Sequence, residues 1–148
     1  MRNYDRVSNW LSIAGKIPSK ETMSLQTGVM IEEFIEFLET ISFESAPVEQ
    51  TQLLQAIESL YIVTHGLKKE SKLLDIKDRV ACLDALCDID VTLNGVAFLA
   101  GFDKNSADDE VLNSNDSKFD GDGKAVILPY GKIGKSSLYI PPDLTRFV

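Results

Sequence analysis

The stretch Val80-Ala81-Cys82-Leu83-Asp84-Ala85-Leu86-Cys87-Asp88-Ile89-Asp90-Val91 constrains the fold most. It lies within a helical pattern from Ile76 to about Ala100 and is apolar nearly all round. A helix of that kind needs cover on every side, inside a bundle or across a subunit interface. Asp84 and Asp88 interrupt it four residues apart, on one face. An unpaired buried carboxylate is costly, so the two call for a metal, a cation or hydrogen-bond donors. Asp90 points to a different side, near Asn94. Gly95 reads as a close-packing position and Gly101 as the helix stop.

A second acidic group stands on an earlier helix, predicted from Met23 to roughly Ser42 through Leu25, Val29, Phe34, Phe37, Leu38 and Ile41. Glu32, Glu33, Glu36 and Glu39 alternate there with large apolar side chains. Glu32 lies directly above Glu36, and Glu33 is also its neighbour. Like charges at that spacing repel, so either bulk water or a cation relieves the repulsion. Gly28 costs a helix interior about 1 kcal/mol relative to alanine, which points to a close helix–helix approach.

Around these two helices the pattern stays helical. Tyr4 to Ala14 forms one short amphipathic stretch, stopped by Gly15 and Pro18. Lys16 and Lys20 fall in the connector that follows, solvated or near an anionic ligand. The break before Pro47 separates a third helix, Val48 to about Lys69, whose His65 reads as a packed or capping residue. Asp75 and Asp78 read as an N-cap and a first-turn acid for the fourth helix. Ser106-Ala107-Asp108-Asp109 reads as a capping box for a short fifth one. Beyond Asn115 the character changes to turns and short β-prone runs, which predict a small hairpin or extended arm ended by Pro141-Pro142.

The 148 residues predict one domain, with a helical core over about 4–116 and an arm over about 117–148. The expected class is all-α, a bundle of four to five helices. The net charge of −8 argues against broad binding to nucleic acid or anionic membrane. No apolar run approaches a bilayer span, and the N-terminus lacks the pattern of a signal peptide, so a cytoplasmic location is expected. Cys82 and Cys87, five apart on different helix faces, predict neither a disulfide nor a metal clip; they read as small buried residues.

Two superficial motifs fail. Pro129 to Ser136 ends like a phosphate loop in Gly134-Lys135-Ser136, but its first position is proline and it lacks the strand and helix that such a loop joins. Asp120-Gly121-Asp122-Gly123 lacks the ligand spacing of a calcium loop and reads as a turn. The acidic groups do better. Hard oxygen ligands, converging if the second and fourth helices pack together, suit Mg²⁺ or Mn²⁺, ions that bridge phosphate oxygens and activate water.

Leu25-Gln26-x-Gly28 with Glu32-Glu33-x-x-Glu36, then Asp84-Ala85-Leu86-Cys87-Asp88 with Gly95 and Gly101-Phe102-Asp103, resembles the MazG-like all-α nucleoside triphosphate pyrophosphohydrolases. The tail resembles a subgroup common in bacteria and phages: Ser114-Asn115-Asp116-Ser117-Lys118-Phe119, Asp122-Gly123-Lys124, Gly131-Lys132-Ile133, Lys135, Tyr139 and Pro141-Pro142-Asp143-Leu144. The resemblance covers most of the chain from about residue 23. It implies hydrolysis between the α- and β-phosphates, giving a nucleoside monophosphate and pyrophosphate, with Mg²⁺ (or Mn²⁺) as cofactor.

By position, the resemblance makes Glu33, Glu36 and Asp88 metal ligands. Glu32 becomes a ligand or the base that orients water, and Glu33 shares the catalytic role. Asp84 joins the ligand set with a departure: it stands four before Asp88, where three is commoner, and Ala85 fills the usual place. Asn115 and Lys118 resemble residues that touch phosphate or sugar, with Lys132 and Lys135 as further candidates. The whole extra helix between the acidic motifs, and the relatives' habit of assembling, imply a homodimer or homotetramer. Two alternatives stand beside this reading. One is a related phosphoribosyl-ATP pyrophosphohydrolase or dUTPase activity; the other is a non-catalytic helical interaction protein.

Overall fold

The computed structural model describes residues 3–148. It is all-helical, with five helices in chain order: α1 (Asn3–Ile13), α2 (Lys20–Glu39), α3 (Pro47–Lys69), α4 (Arg79–Leu99) and α5 (Lys104–Asp116). Two compact units divide it. One runs from Pro18 to Asp75 and contains the α2–α3 hairpin; the other takes the stretch up to Ile17 and the stretch from Ile76 to Val148.

Helix boundaries follow local chemistry. Past α1, Gly15 adopts φ +72°, its N–H donating to the Ser12 carbonyl while Lys16 N–H donates to that of Leu11. Gly101 repeats the device after α4 at φ +83°, with Gly101 N–H on Phe98 and Phe102 N–H on Ala97. Both close the last turn with a left-handed residue that only glycine takes without cost. At its start, α2 extends to Lys20 because Ser19 and Thr22 cap it reciprocally. Threonine in the place usual for glutamate hid that box.

Two predicted caps move. Asp78, not Asp75, caps α4 by accepting from the N–H groups of Val80 and Ala81, while Asp75 pairs with Lys20. Asp103, not Ser106, caps α5, accepting from the Ser106 N–H at 3.2 Å and its hydroxyl at 2.7 Å. Those two hydrogen bonds, side chain first, hold the Asp103 carboxyl below its usual pKa.

Within the hairpin unit, the core is Ile35, Ile57 and Leu67, with Ser24, Thr64 and Lys68 buried beside them. The Ser24 hydroxyl donates to the Lys20 carbonyl and accepts the Leu74 N–H at 2.9 Å. That bond ties the segment after α3 back to the N-terminal part of α2. Gly28 allows the close approach its sequence position predicts: a Cβ there would fall 2.9 Å from both Leu67 Cβ and Lys68 Cγ.

In the other unit, α1 fastens to α5. Arg6 donates to Asp109, Asn113 and Asp116, and the Trp10 indole N–H donates to the Asn115 carbonyl at 2.9 Å. The tail then runs as a strap along α5. Ser114 hydroxyl holds the Ile140 carbonyl, Ser117 hydroxyl accepts the Ile140 N–H, and Ser136 hydroxyl holds the Phe119 carbonyl. The predicted hairpin reduces to one antiparallel bridge, Ile127 with Ile133, around a 3-10 turn at Pro129–Gly131. Among the described residues no strand forms.

Helix α4 finds little cover within its own chain. Its single buried residue within the chain is Ala97, while Val80, Leu83, Val91, Phe98 and Leu99 are exposed, the last at 84 %. Cys87 is exposed and Cys82 half-buried, so neither is the small buried residue predicted. Nothing lies within 4 Å of where a Gly95 Cβ would stand, so that glycine makes no close approach inside the chain.

Candidate functional site

The Glu32-Glu33-x-x-Glu36 segment splits by direction. Glu32 turns toward α3 and pairs with the Lys68 ammonium, the lysine side chain being 8 % exposed and the glutamate 29 %. Glu33 and Glu36 are exposed, a turn apart on the same helix. One turn on, Glu39 accepts the Tyr61 phenolic hydrogen bond at 2.9 Å. That hydrogen bond, then burial, then the charges of Glu39, Glu36 and Glu32, hold the Tyr61 hydroxyl above its usual pKa. A cation relieves part of the acidic repulsion, and for Glu32 it is a lysine of this chain.

On α4, Asp84 and Asp88 are exposed rather than buried. Through their carboxylates neither makes a hydrogen bond or ion pair among the described residues, and the same holds for Glu36. Asp90 meets Asn94 as its spacing predicts, the amide donating to the Asp90 carbonyl at 2.7 Å and carboxylate at 3.3 Å. His65 faces Glu70 at 3.6 Å on the surface, a long contact rather than a packed position.

Among the described residues, no group of three His, Cys, Asp or Glu side chains gathers in a way that could hold a metal ion. The donor chemistry of each acidic pair still suits Mg²⁺. That ion is commonly held by one or two carboxylates, with water and substrate phosphates completing its shell. Glu33 with Glu36, and Asp84 with Asp88, each offer such a pair of hard oxygens.

The tail candidates fall into two places. Asn115 and Lys118 meet at Trp10: the Asn115 carbonyl takes the indole N–H, Lys118 Nζ sits 5.6 Å from the indole ring centre, and Phe119 stacks on it at 5.7 Å. Lys132 and Lys135 are exposed further along the strap, Lys135 lying 4.4 Å over the Tyr139 ring. Lys16 donates to the Gly131 carbonyl at the turn just before Lys132, and Lys20 is taken by Asp75. Trp10, Arg6, Tyr61 and Lys68 escaped the reading from sequence. Lys68 carried a signal: a cation one turn after Thr64, on the face that Leu60, Thr64 and Leu67 turn inward.

Compared with known protein-family models, curated proteins and solved structures, the chain matches none. No single helix among the described residues is long and apolar enough to cross a membrane.

Proposed function

We propose that the chain is a Mg²⁺-dependent nucleoside triphosphate pyrophosphohydrolase of MazG-like type, with Mn²⁺ able to replace Mg²⁺. The observation that carries this reading is how differently the fold treats individual acids of the two motifs. Glu32 is paired, whereas Glu36, Asp84 and Asp88 stand exposed without partners among the described residues. A bound Mg²⁺ supplies charge neutralisation at phosphate oxygens.

The roles of the chain's own residues follow. Glu33, Glu36, Asp84 and Asp88 provide hard oxygen ligands. Glu32, and Glu33 beside it, orient the attacking water and receive its proton. The water oxygen adds to the α-phosphorus, the bond from that phosphorus to the α–β bridging oxygen breaks, and pyrophosphate leaves. Asn115, Lys118, Lys132 and Lys135 are the proposed contacts to phosphate and sugar. With a net charge of −8, the surface as a whole gives an anionic substrate no general attraction.

The exposed apolar surface supports assembly as a homodimer or homotetramer. The same surface is what favours the second reading, a non-catalytic helical interaction protein. Incubation with each deoxynucleoside and ribonucleoside triphosphate and Mg²⁺, assayed for pyrophosphate and for a Mg²⁺-dependent rise in melting temperature, separates the two. Release with at least one nucleotide is expected; no release with any, and no thermal shift, defeats the enzyme reading.

A further inference from the structure

One face of α5 grips the backbone of the segment that crosses it. Glu110, Ser114 and Ser117 stand four and three residues apart, on the same side of the helix. The Ser117 hydroxyl accepts the Ile140 N–H at 2.8 Å, and the Ser114 hydroxyl donates to the Ile140 carbonyl at 2.7 Å. The Glu110 carboxylate accepts the Asp143 N–H at 3.3 Å, with Arg146 as a long ionic neighbour at 3.7 Å. Seven residues before Glu110, the Asp103 N–H donates to the Phe147 carbonyl at 2.9 Å. Between these points the Asp143 carboxylate accepts the N–H and hydroxyl of Thr145, which folds the segment into a hook.

Apolar burial adds little to this grip, since Leu138, Ile140 and Val148 are 54 %, 68 % and 82 % exposed. The earlier part of the tail is fixed differently. Phe119 stacks on Trp10, Lys16 holds the Gly131 carbonyl, and Gly134 is buried so closely that a Cβ there would fall 2.9 Å from Leu128 Cγ. Hydrogen bonds that water can replace contribute little net stability. Segments with few buried apolar contacts open by themselves, ahead of global unfolding. We infer that residues 139–148 are a strap that leaves α5 as one unit, while the tail up to Ser136 stays in place. Release uncovers Ser114, which is buried in the closed state, and frees three hydrogen-bonding side chains beside Asn115. The opening requires no catalytic role for the chain.

Amide hydrogen exchange on the whole chain tests this. Three amides donate across the contact between strap and helix: Ile140 and Asp143 from the strap, and Asp103 from the start of α5. In wild type their protection factors are expected to agree within about 3-fold and to lie about 10-fold or more below two references. The references are Leu112, inside α5, and Ser136, whose N–H donates to the Lys118 carbonyl. Two variants then loosen different points. Ser114→Ala removes the donor to the Ile140 carbonyl, and Glu110→Ala removes the acceptor of the Asp143 N–H. Each is expected to lower protection at all three amides by a common factor, while Leu112 and Ser136 keep their wild-type protection.

Unchanged protection at Asp103 in Ser114→Ala, or at Ile140 in Glu110→Ala, overturns the single unit, because the contacts then fray one by one. Wild-type protection at the three amides as high as at Leu112 and Ser136 overturns it too. So does a loss at Leu112 in step with them in both variants, since the segment then opens only together with the helix beneath it.

Discussion

At the scale of single residues, Gly28 and Tyr61 show how α2 and α3 are matched. Alanine at position 28 gains about 1 kcal/mol of helix propensity, but its Cβ would stand 2.9 Å from Leu67 Cβ. That atom is fixed to the backbone and has no rotamer to retreat into, and overpacking costs about 1–3 kcal/mol. The clash wins: Gly28→Ala is expected to lower unfolding free energy by about 1 kcal/mol in a denaturant titration. Tyr61 makes a pH prediction. Its pKa is raised in the folded state, first by donation to Glu39, so its contribution is fully present below the ordinary tyrosine value of about 10. The contribution fades as pH rises through the raised value. Wild-type stability should therefore fall more steeply above pH 10 than that of Tyr61→Phe, measured by denaturation at a series of pH values.

At the scale of elements, much was legible because stops and faces are written in short patterns. Gly15 and Gly101 ended their helices as read, and apolar patterning together with cap signals placed all five helices. The errors share a cause, which is competition between nearby polar groups for one role. Asp75 and Asp78 are both competent caps, and Lys20, distant in sequence, draws Asp75 away. Asp103 outranks Ser106 because it accepts from the Ser106 hydroxyl as well as its N–H. In the acidic segment, spacing put Glu32 over Glu36, but only the position of α3 assigns Glu32 to Lys68. Ser24 offers a test of such long-range ties. Ser24→Ala leaves the Leu74 N–H without its partner and should cost about 1–2 kcal/mol. Amide hydrogen exchange at Leu74 should speed up well before exchange within α3 does.

At the scale of the molecule, the apolar character of α4 was legible and its cover was not. A helix apolar all round was expected inside a bundle or across a subunit interface, and most of it lies open within one chain. Burial of apolar surface stabilises by roughly 25 cal/mol per Å², so a second copy laid on this helix has a large driving force. Sedimentation is expected to show a dimer or tetramer, and Leu83→Asp, at a residue 64 % exposed in the single chain, should shift it toward monomer. A wild type that sediments as a 16.4 kDa monomer at micromolar concentration contradicts assembly.

Activity, rather than assembly, defines the proposed function, and the identity of the products reports which phosphate bond is cut. Phosphorus NMR of a reaction with Mg²⁺ and a cleaved triphosphate distinguishes cleavage at the α–β bond from cleavage at the β–γ bond. The proposed function predicts pyrophosphate and nucleoside monophosphate in equal amounts from wild type and none from Glu36→Gln. Orthophosphate with nucleoside diphosphate, or no turnover of any common triphosphate, would contradict it.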